Sequence, residues 1–163
     1  MSLATFTLGL ERRAYLALQR LAARNSNGSP RPQHLLTGEQ GEDAACFHLR
    51  SLGYTIVARR WKADRIKGDL DLVAWDGDTL VIFEIKTRTA RDLATAESQV
   101  DLYKQRVLRR MAAAYLRQIP EPHRDRIPIR FDVLSVYLLP EGAAFEHFRD
   151  AFSAHAELRH SGV

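Results

Sequence analysis

Gly68-Asp69-Leu70-Asp71-Leu72-Val73-Ala74-Trp75-Asp76-Gly77-Asp78-Thr79-Leu80-Val81-Ile82-Phe83-Glu84-Ile85-Lys86-Thr87-Arg88 reads as two β-type runs around a turn. A glycine beside aspartates between apolar, β-branched segments is a strong hairpin signal. Side chains alternate faces along a strand, so Glu84 and Lys86 share a face of their strand, as Asp69 and Asp71 do of theirs. If Gly77 and Asp78 form a two-residue turn, Asp76 pairs with Thr79. Counting back then sets Asp71 opposite Glu84 and Asp69 opposite Lys86. A turn at Asp76-Gly77 keeps all four on one face, whereas a turn of odd length separates the pairs.

Charges on a strand face are most often solvated. Here, however, Leu70, Leu72 and Val73 flank the aspartates, and Val81, Ile82, Phe83 and Ile85 surround Glu84. Such runs suit a strand covered on both sides, where a charge is costly unless it is paired or metal-bound. Two carboxylates meeting across a hairpin repel, and one protonates unless a cation intervenes. Mg²⁺ answers this need, because it takes a few carboxylate oxygens and keeps several waters, leaving room for a phosphate. Lys86 then stands beside the ion, placed to orient or deprotonate a water and to offset charge on phosphorus.

Working outward, Thr37-Gly38-Glu39-Gln40 has the form of a capping box, opening a helix that runs to Leu52 with Gly53 as its C-terminal glycine. Tyr54 to Ala58 is a short strand. Arg59 to Gly68 continues the chain as a basic loop around Trp61. Beyond the hairpin, Leu93, Ala96, Val100, Tyr103, Val107, Met111, Ala114 and Tyr115 have helical spacing, which predicts a helix from Leu93 to Gln118 stopped by Pro120 and Pro122. Ile129 to Leu139 is a further strand, and Ala143 to Leu158 reads as a loosely attached helix. Helix, three strands, helix, strand make an α/β domain with a mixed sheet flanked by helices. Residues 1–36 are expected to be a basic N-terminal helix (Leu8 to Ala23) and linker, 37–140 the main domain, and 141–163 a C-terminal tail.

Composition narrows the function classes. The chain has 163 residues, 27% of them charged. No apolar run approaches the ~20 residues a membrane span needs, so no membrane partner is expected. The lone Cys46 excludes an intramolecular disulfide, and a core position in a reducing, cytoplasmic setting is expected for it. The net charge of +4 resides in residues 1–36, where five arginines face Glu11 alone. The remainder is neutral, so any nucleic-acid surface on the main domain must come from local clustering. Of 24 basic residues only four are lysine: Lys62, Lys67, Lys86 and Lys104. None of the six histidines has a zinc-site spacing, and no Gly-rich phosphate loop is present. The loop bearing Arg60, Trp61, Lys62, Arg65 and Lys67 has the composition of a phosphate-binding and base-stacking element. The competing reading is a solvated loop with Trp61 tucked into the core.

Asp71 with Glu84-Ile85-Lys86 further along resembles the PD-(D/E)XK nuclease signature. With Gly41-Glu42-Asp43-Ala44-Ala45, Leu52-Gly53-Tyr54, Gly68-Asp69-Leu70-Asp71-Leu72-Val73, Val81 to Arg88 and Arg130-Phe131-Asp132-Val133 in order, residues 37–139 resemble the YraN family of bacterial proteins, predicted endonucleases related to Holliday junction resolvases. The resemblance implies a restriction-endonuclease-like fold (an α-β-β-β-α-β core) and Mg²⁺- or Mn²⁺-dependent hydrolysis of nucleic acid. DNA, structured or branched, is favoured over RNA, and the relatives imply a homodimer. Residue by residue, it implies Asp71, Glu84 and Ile85 as metal contacts and Lys86 as the catalytic lysine. Glu42 is the acidic residue that completes the site, unless it serves only the helix dipole. Gln99 and Lys104 lie where related nucleases place substrate-contacting residues, and Arg88 joins the basic set. Gly68-Asp69 departs from the Gly-Glu usual in that family. The rival reading is a nucleic-acid-binding module that keeps the fold without cleaving.

Overall fold

A computed structural model describes residues 33–89, 100–121 and 123–154, together with the isolated positions 13, 14 and 17. The expected N-terminal helix (Leu8 to Ala23) lies outside these residues, apart from those three positions, as do Gln99 and the segment from Leu93 to Gln99.

The elements are α1 (Gln33–Ser51), β1 (Thr55–Ala63), β2 (Ile66–Asp76), β3 (Thr79–Arg88), α2 (Leu102–Leu116), β4 (Ile129–Leu139) and β5 (Gly142–Phe152). The strands form one sheet in the order β1-β2-β3-β4-β5. β3 and β4 are parallel and every other pair is antiparallel. A parallel pair cannot be joined by a tight turn, and α2 lies in the connection between β3 and β4. Alternation along β3 builds two cores. Leu80 and Ile82 face Leu108, Met111 and Ala112 of α2, whereas Val81 and Phe83 face Ala45, Cys46 and Leu49 of α1. Each large apolar side chain sealed in this way contributes about 1.5–3 kcal/mol. The α/β architecture is thus a mixed sheet between helices, consistent with the restriction-endonuclease-like fold expected.

The β2–β3 turn falls at Gly77-Asp78, because Asp76 pairs with Thr79, and Gly77 has φ +59°. Gly53 ends α1 with φ +95°. There Gly53 N–H donates to the Arg50 carbonyl and Tyr54 N–H to the Leu49 carbonyl, a Schellman closure. Gly41 serves packing instead: a Cβ there would lie 1.8 Å from Thr87 Oγ1, so its absence lets α1 settle on β3.

Five expectations are corrected. α1 begins at Gln33, so Thr37 lies inside the helix and is not its N-cap. The expected basic loop is a hairpin, with β1 running on to Ala63 and Ala63 paired with Ile66. α2 starts at Leu102, with the Asp101 carboxylate accepting the Lys104 N–H, and Val100 precedes it. Tyr103, read as part of the apolar stripe, is 70% exposed because it sits in that first turn. Finally, the expected helix from Ala143 to Leu158 is replaced over its first ten residues by the edge strand β5 (Gly142–Phe152), and residues 155–158 lie outside the described residues. Phe145 packs on the α1 side and Phe148 and Phe152 on the α2 side, as a strand between two layers requires, and a bulge shifts the β4–β5 register between Phe148 and Phe152, where Asp150 has φ +51°.

Candidate active site

Between β2 and β3 the ladder runs from Asp76↔Thr79 to Leu72↔Phe83. At Asp71 the side chain takes over from the backbone, as Oδ2 accepts the Ile85 N–H at 2.7 Å. Face alternation also breaks here. Arg59 and Arg60 both reach carboxylates of α1, to Asp43 and Glu42 respectively. Arg60 has φ +47°, the left-handed conformation that permits this. On β2, Leu70 joins the α2-side core although Leu72 belongs to the α1 side. The backbone ladder stops at Leu72↔Phe83, one step short of the expected pairing of Asp71 with Glu84, and Asp71 engages the Ile85 N–H through its side chain. Asp71 instead stands at a local break between strands.

Glu84 is only 4% exposed and lies between two ammonium groups. Lys86 Nζ is 3.0 Å from Oε1 and Lys104 Nζ, from α2, is 2.9 Å from Oε2. The first contact is a hydrogen bond, whereas Oε2 is buried and receives no well-directed one. The Asp71 carboxyl is pushed up to about 7, first by burial and then by the Glu84 charge, against the pull of the Ile85 N–H and Lys104. Burial pulls Lys104 downward, but Glu84, with Asp71 and Asp69 behind it, outweighs this and holds its ammonium above the ordinary range. The centre is therefore a desolvated carboxylate pair held by cations.

The donor set fits a small hard cation. Asp71 retains Oδ1, which has no hydrogen-bond partner among the described residues, and Glu84 presents Oε2. Two carboxylates suffice for Mg²⁺, which keeps several waters. Among the described residues, no three His, Cys, Asp or Glu side chains converge as a metal cage.

The other candidates fall into place around this centre. Ile85 supplies its backbone N–H to Asp71, and its side chain packs on the α1 side. Glu42 pairs with Arg60, yet its charge reaches Asp71. Arg60 is thereby engaged by Glu42 and Glu39. Trp61 packs on the α2 side with its ring edge-on to Tyr115, centroids 5.2 Å apart, so the tryptophan belongs to the core. Lys62, Arg65 and Lys67 are exposed on the β1–β2 hairpin and make no ion pair among the described residues. Arg88 is half-buried at the end of β3. Asp69 makes no ion pair among the described residues.

A second polar cluster was not legible in the sequence. Asp132, fully buried on β4, receives Arg130 through two nitrogens, His147 Nε2 at 2.8 Å and the Asp150 N–H at 2.9 Å. Arg130 and Arg149 both reach Asp76 at the β2–β3 turn. Only the i, i+2 spacing of Arg130 and Asp132 hinted at it, since His147 and Asp150 arrive on a strand that was not foreseen. Cys46 is a buried free thiol in the α1 core, its pKa raised by burial. Among the described residues, no helix is long and apolar enough to cross a membrane.

The model of the uncharacterised protein family UPF0102 matches residues 41–136. A UPF0102 protein of Koribacter versatilis (strain Ellin345) is 50% identical over 107 residues, covering 66% of this chain and 72% of the relative. One from Solibacter usitatus (strain Ellin6076) is 41% identical over 115 residues, or 71% and 84% of the two chains. One from Parafrankia sp. (strain EAN1pec) is 42% identical over 116 residues, or 71% and 94%. The matched span begins at the glycine that seats α1 on β3 and includes Asp71, Glu84, Lys86 and Lys104, so this chain belongs to the UPF0102 family, the YraN family whose motifs it carries.

Proposed function

We propose that this chain is a metal-dependent endonuclease that hydrolyses phosphodiester bonds in nucleic acid, with structured or branched DNA as its preferred substrate. The observation that carries the reading is the buried pair Asp71 and Glu84 at a break in the sheet, with Lys86 3.0 Å from Glu84. A desolvated, mutually repelling carboxylate pair with a raised pKa is an expensive arrangement that stability alone does not favour.

Asp71 Oδ1 and Glu84 Oε2 would hold Mg²⁺ or Mn²⁺. When bound, such an ion polarises a phosphoryl oxygen and lowers the pKa of a coordinated water. Lys86, tethered to Glu84, offsets negative charge growing on the phosphoryl oxygens and orients the attacking water. The Ile85 N–H fixes Asp71 through Oδ2 and leaves Oδ1 without a hydrogen-bond partner among the described residues. Lys62, Arg65 and Lys67 on the hairpin supply exposed positive charge for the phosphate backbone, which positions a duplex without reading its sequence.

The test is cleavage of labelled single-stranded, duplex, flap and four-way-junction DNA with Mg²⁺, Mn²⁺ or EDTA. Metal-dependent cutting, strongest on a branched substrate, is expected. Binding without cutting would establish the alternative, a nucleic-acid-binding module that retains the nuclease fold, and Asp69→Glu would then be the first variant to test for restored activity.

A further inference from the structure

We propose that Lys104 is a built-in competitor for the divalent cation: its ammonium holds the Glu84 carboxylate in the metal-free protein and is displaced when the cation binds. This deepens the metal-dependent reading above and rests on it. The two lysines on Glu84 are not equivalent. Lys86 comes from the same strand and makes a true hydrogen bond to Oε1. Lys104 comes from another element and lies 2.9 Å from Oε2 as an ion pair without good hydrogen-bond direction.

Charge balance favours the departure of one of them. Asp71, Glu84 and the two lysines cancel when all are ionised, with Asp69 and Glu42 adding negative charge from further away. Adding a divalent cation beside both lysines would put two excess positive charges on these four groups in a desolvated site, which drives one ammonium outward. The less well-directed contact yields first. Lys104 can also move without unfolding anything, because its backbone N–H is held by the Asp101 cap while its side chain is about one-third exposed. With the ammonium swung out, the centre has one net positive charge, matched to one phosphodiester. The freed lysine stands at the mouth of the site, where a substrate phosphate arrives.

The composition makes this readable, because the protein has four lysines. Lysine-selective isotope labelling yields four side-chain resonances in the intact chain, assigned by Lys62→Arg, Lys67→Arg and Lys86→Arg, with Lys104 the signal that remains. On Mg²⁺ titration the Lys104 signal should move toward the position of an exposed lysine while Lys62 and Lys67 stay. In calorimetry, Lys104→Met should bind Mg²⁺ about ten-fold more tightly, as expected if Lys104 occupies Glu84 ~90% of the time. A Lys104 resonance unchanged at saturating Mg²⁺, or a folded Lys104→Met that binds no more tightly than wild type, overturns the proposal alone. Absence of Mg²⁺ and Mn²⁺ binding by the wild type overturns both it and the metal-dependent reading. The resonance experiment uses the native side chain at 104, so it stands even if Lys104→Met fails to fold.

Discussion

Replacing Gly41 with alanine puts a methyl group 1.8 Å from Thr87 Oγ1, 2.6 Å from its Cγ2 and 2.7 Å from its Cβ. Rotating the threonine relieves the first two contacts but not the third, since Cβ is fixed to the backbone of β3. Helix α1 must therefore retreat by roughly 1 Å, and a gap of that size forfeits about a quarter to a half of the dispersion energy at each contact it opens. The interface it disturbs contains Ala45, Cys46, Leu49 and Phe83. Overpacking of this kind costs about 1–3 kcal/mol, against a gain of ~1 kcal/mol from the better helix propensity of alanine. We expect Gly41→Ala to lose about 1 kcal/mol net in urea denaturation. Gly38→Ala, in the same helix with nothing within 4 Å of its new methyl, should be neutral or gain up to ~1 kcal/mol. In a Thr87→Gly background the Gly41→Ala penalty should vanish. A Gly41→Ala protein as stable as the wild type would refute the packing argument. So would a penalty that persists in the Thr87→Gly background.

Lys86→Ala should lower single-turnover cleavage by about 10²–10⁴-fold, with the melting temperature nearly unchanged because the side chain is partly exposed; retained cleavage would remove Lys86 from the mechanism. Burial raises the Asp132 carboxyl, but His147, Arg130 and the Asp150 N–H outweigh it and hold the group below the usual range. Its stabilisation is therefore present above the unfolded carboxyl pKa and lost as pH falls through the lower folded value. Asp132→Asn should cost about 3 kcal/mol at pH 7 and flatten the stability profile below about pH 4, and parallel wild-type and mutant profiles would count against this. Gly68 has φ +118° and a new Cβ would lie 3.3 Å from Val107 Cγ1 on α2, so Gly68→Ala should destabilise by about 1–2 kcal/mol; equal urea midpoints would contradict it.

The core order and the hairpin turn at Gly77-Asp78 were legible because a Gly-Asp turn between apolar runs fixes a hairpin, and strand period then sets which side chains meet as far as Leu72↔Phe83. Local pattern failed where tertiary geometry overrides it. The left-handed Arg60 breaks alternation on β1, and on β2 Leu70 and Leu72 face opposite cores, so strand period alone does not place Asp69 and Asp71. β5 carries apolar side chains on both faces, Phe145 toward α1 and Phe148 and Phe152 toward α2, so it lacks the alternation that announces a strand. Lys104 on Glu84 joins residues 20 positions apart through a helix folded back over the sheet, which no local periodicity announces. Its rarity as a lysine was the visible trace.

The most direct test of the account is Mn²⁺ binding to the full chain without nucleic acid, measured beside Glu84→Gln and Asp71→Asn. One site per chain that is lost or greatly weakened in both variants is the predicted result. Binding that survives both substitutions, or no Mn²⁺ binding by the wild type, would contradict the assignment of Asp71 and Glu84 as the metal centre.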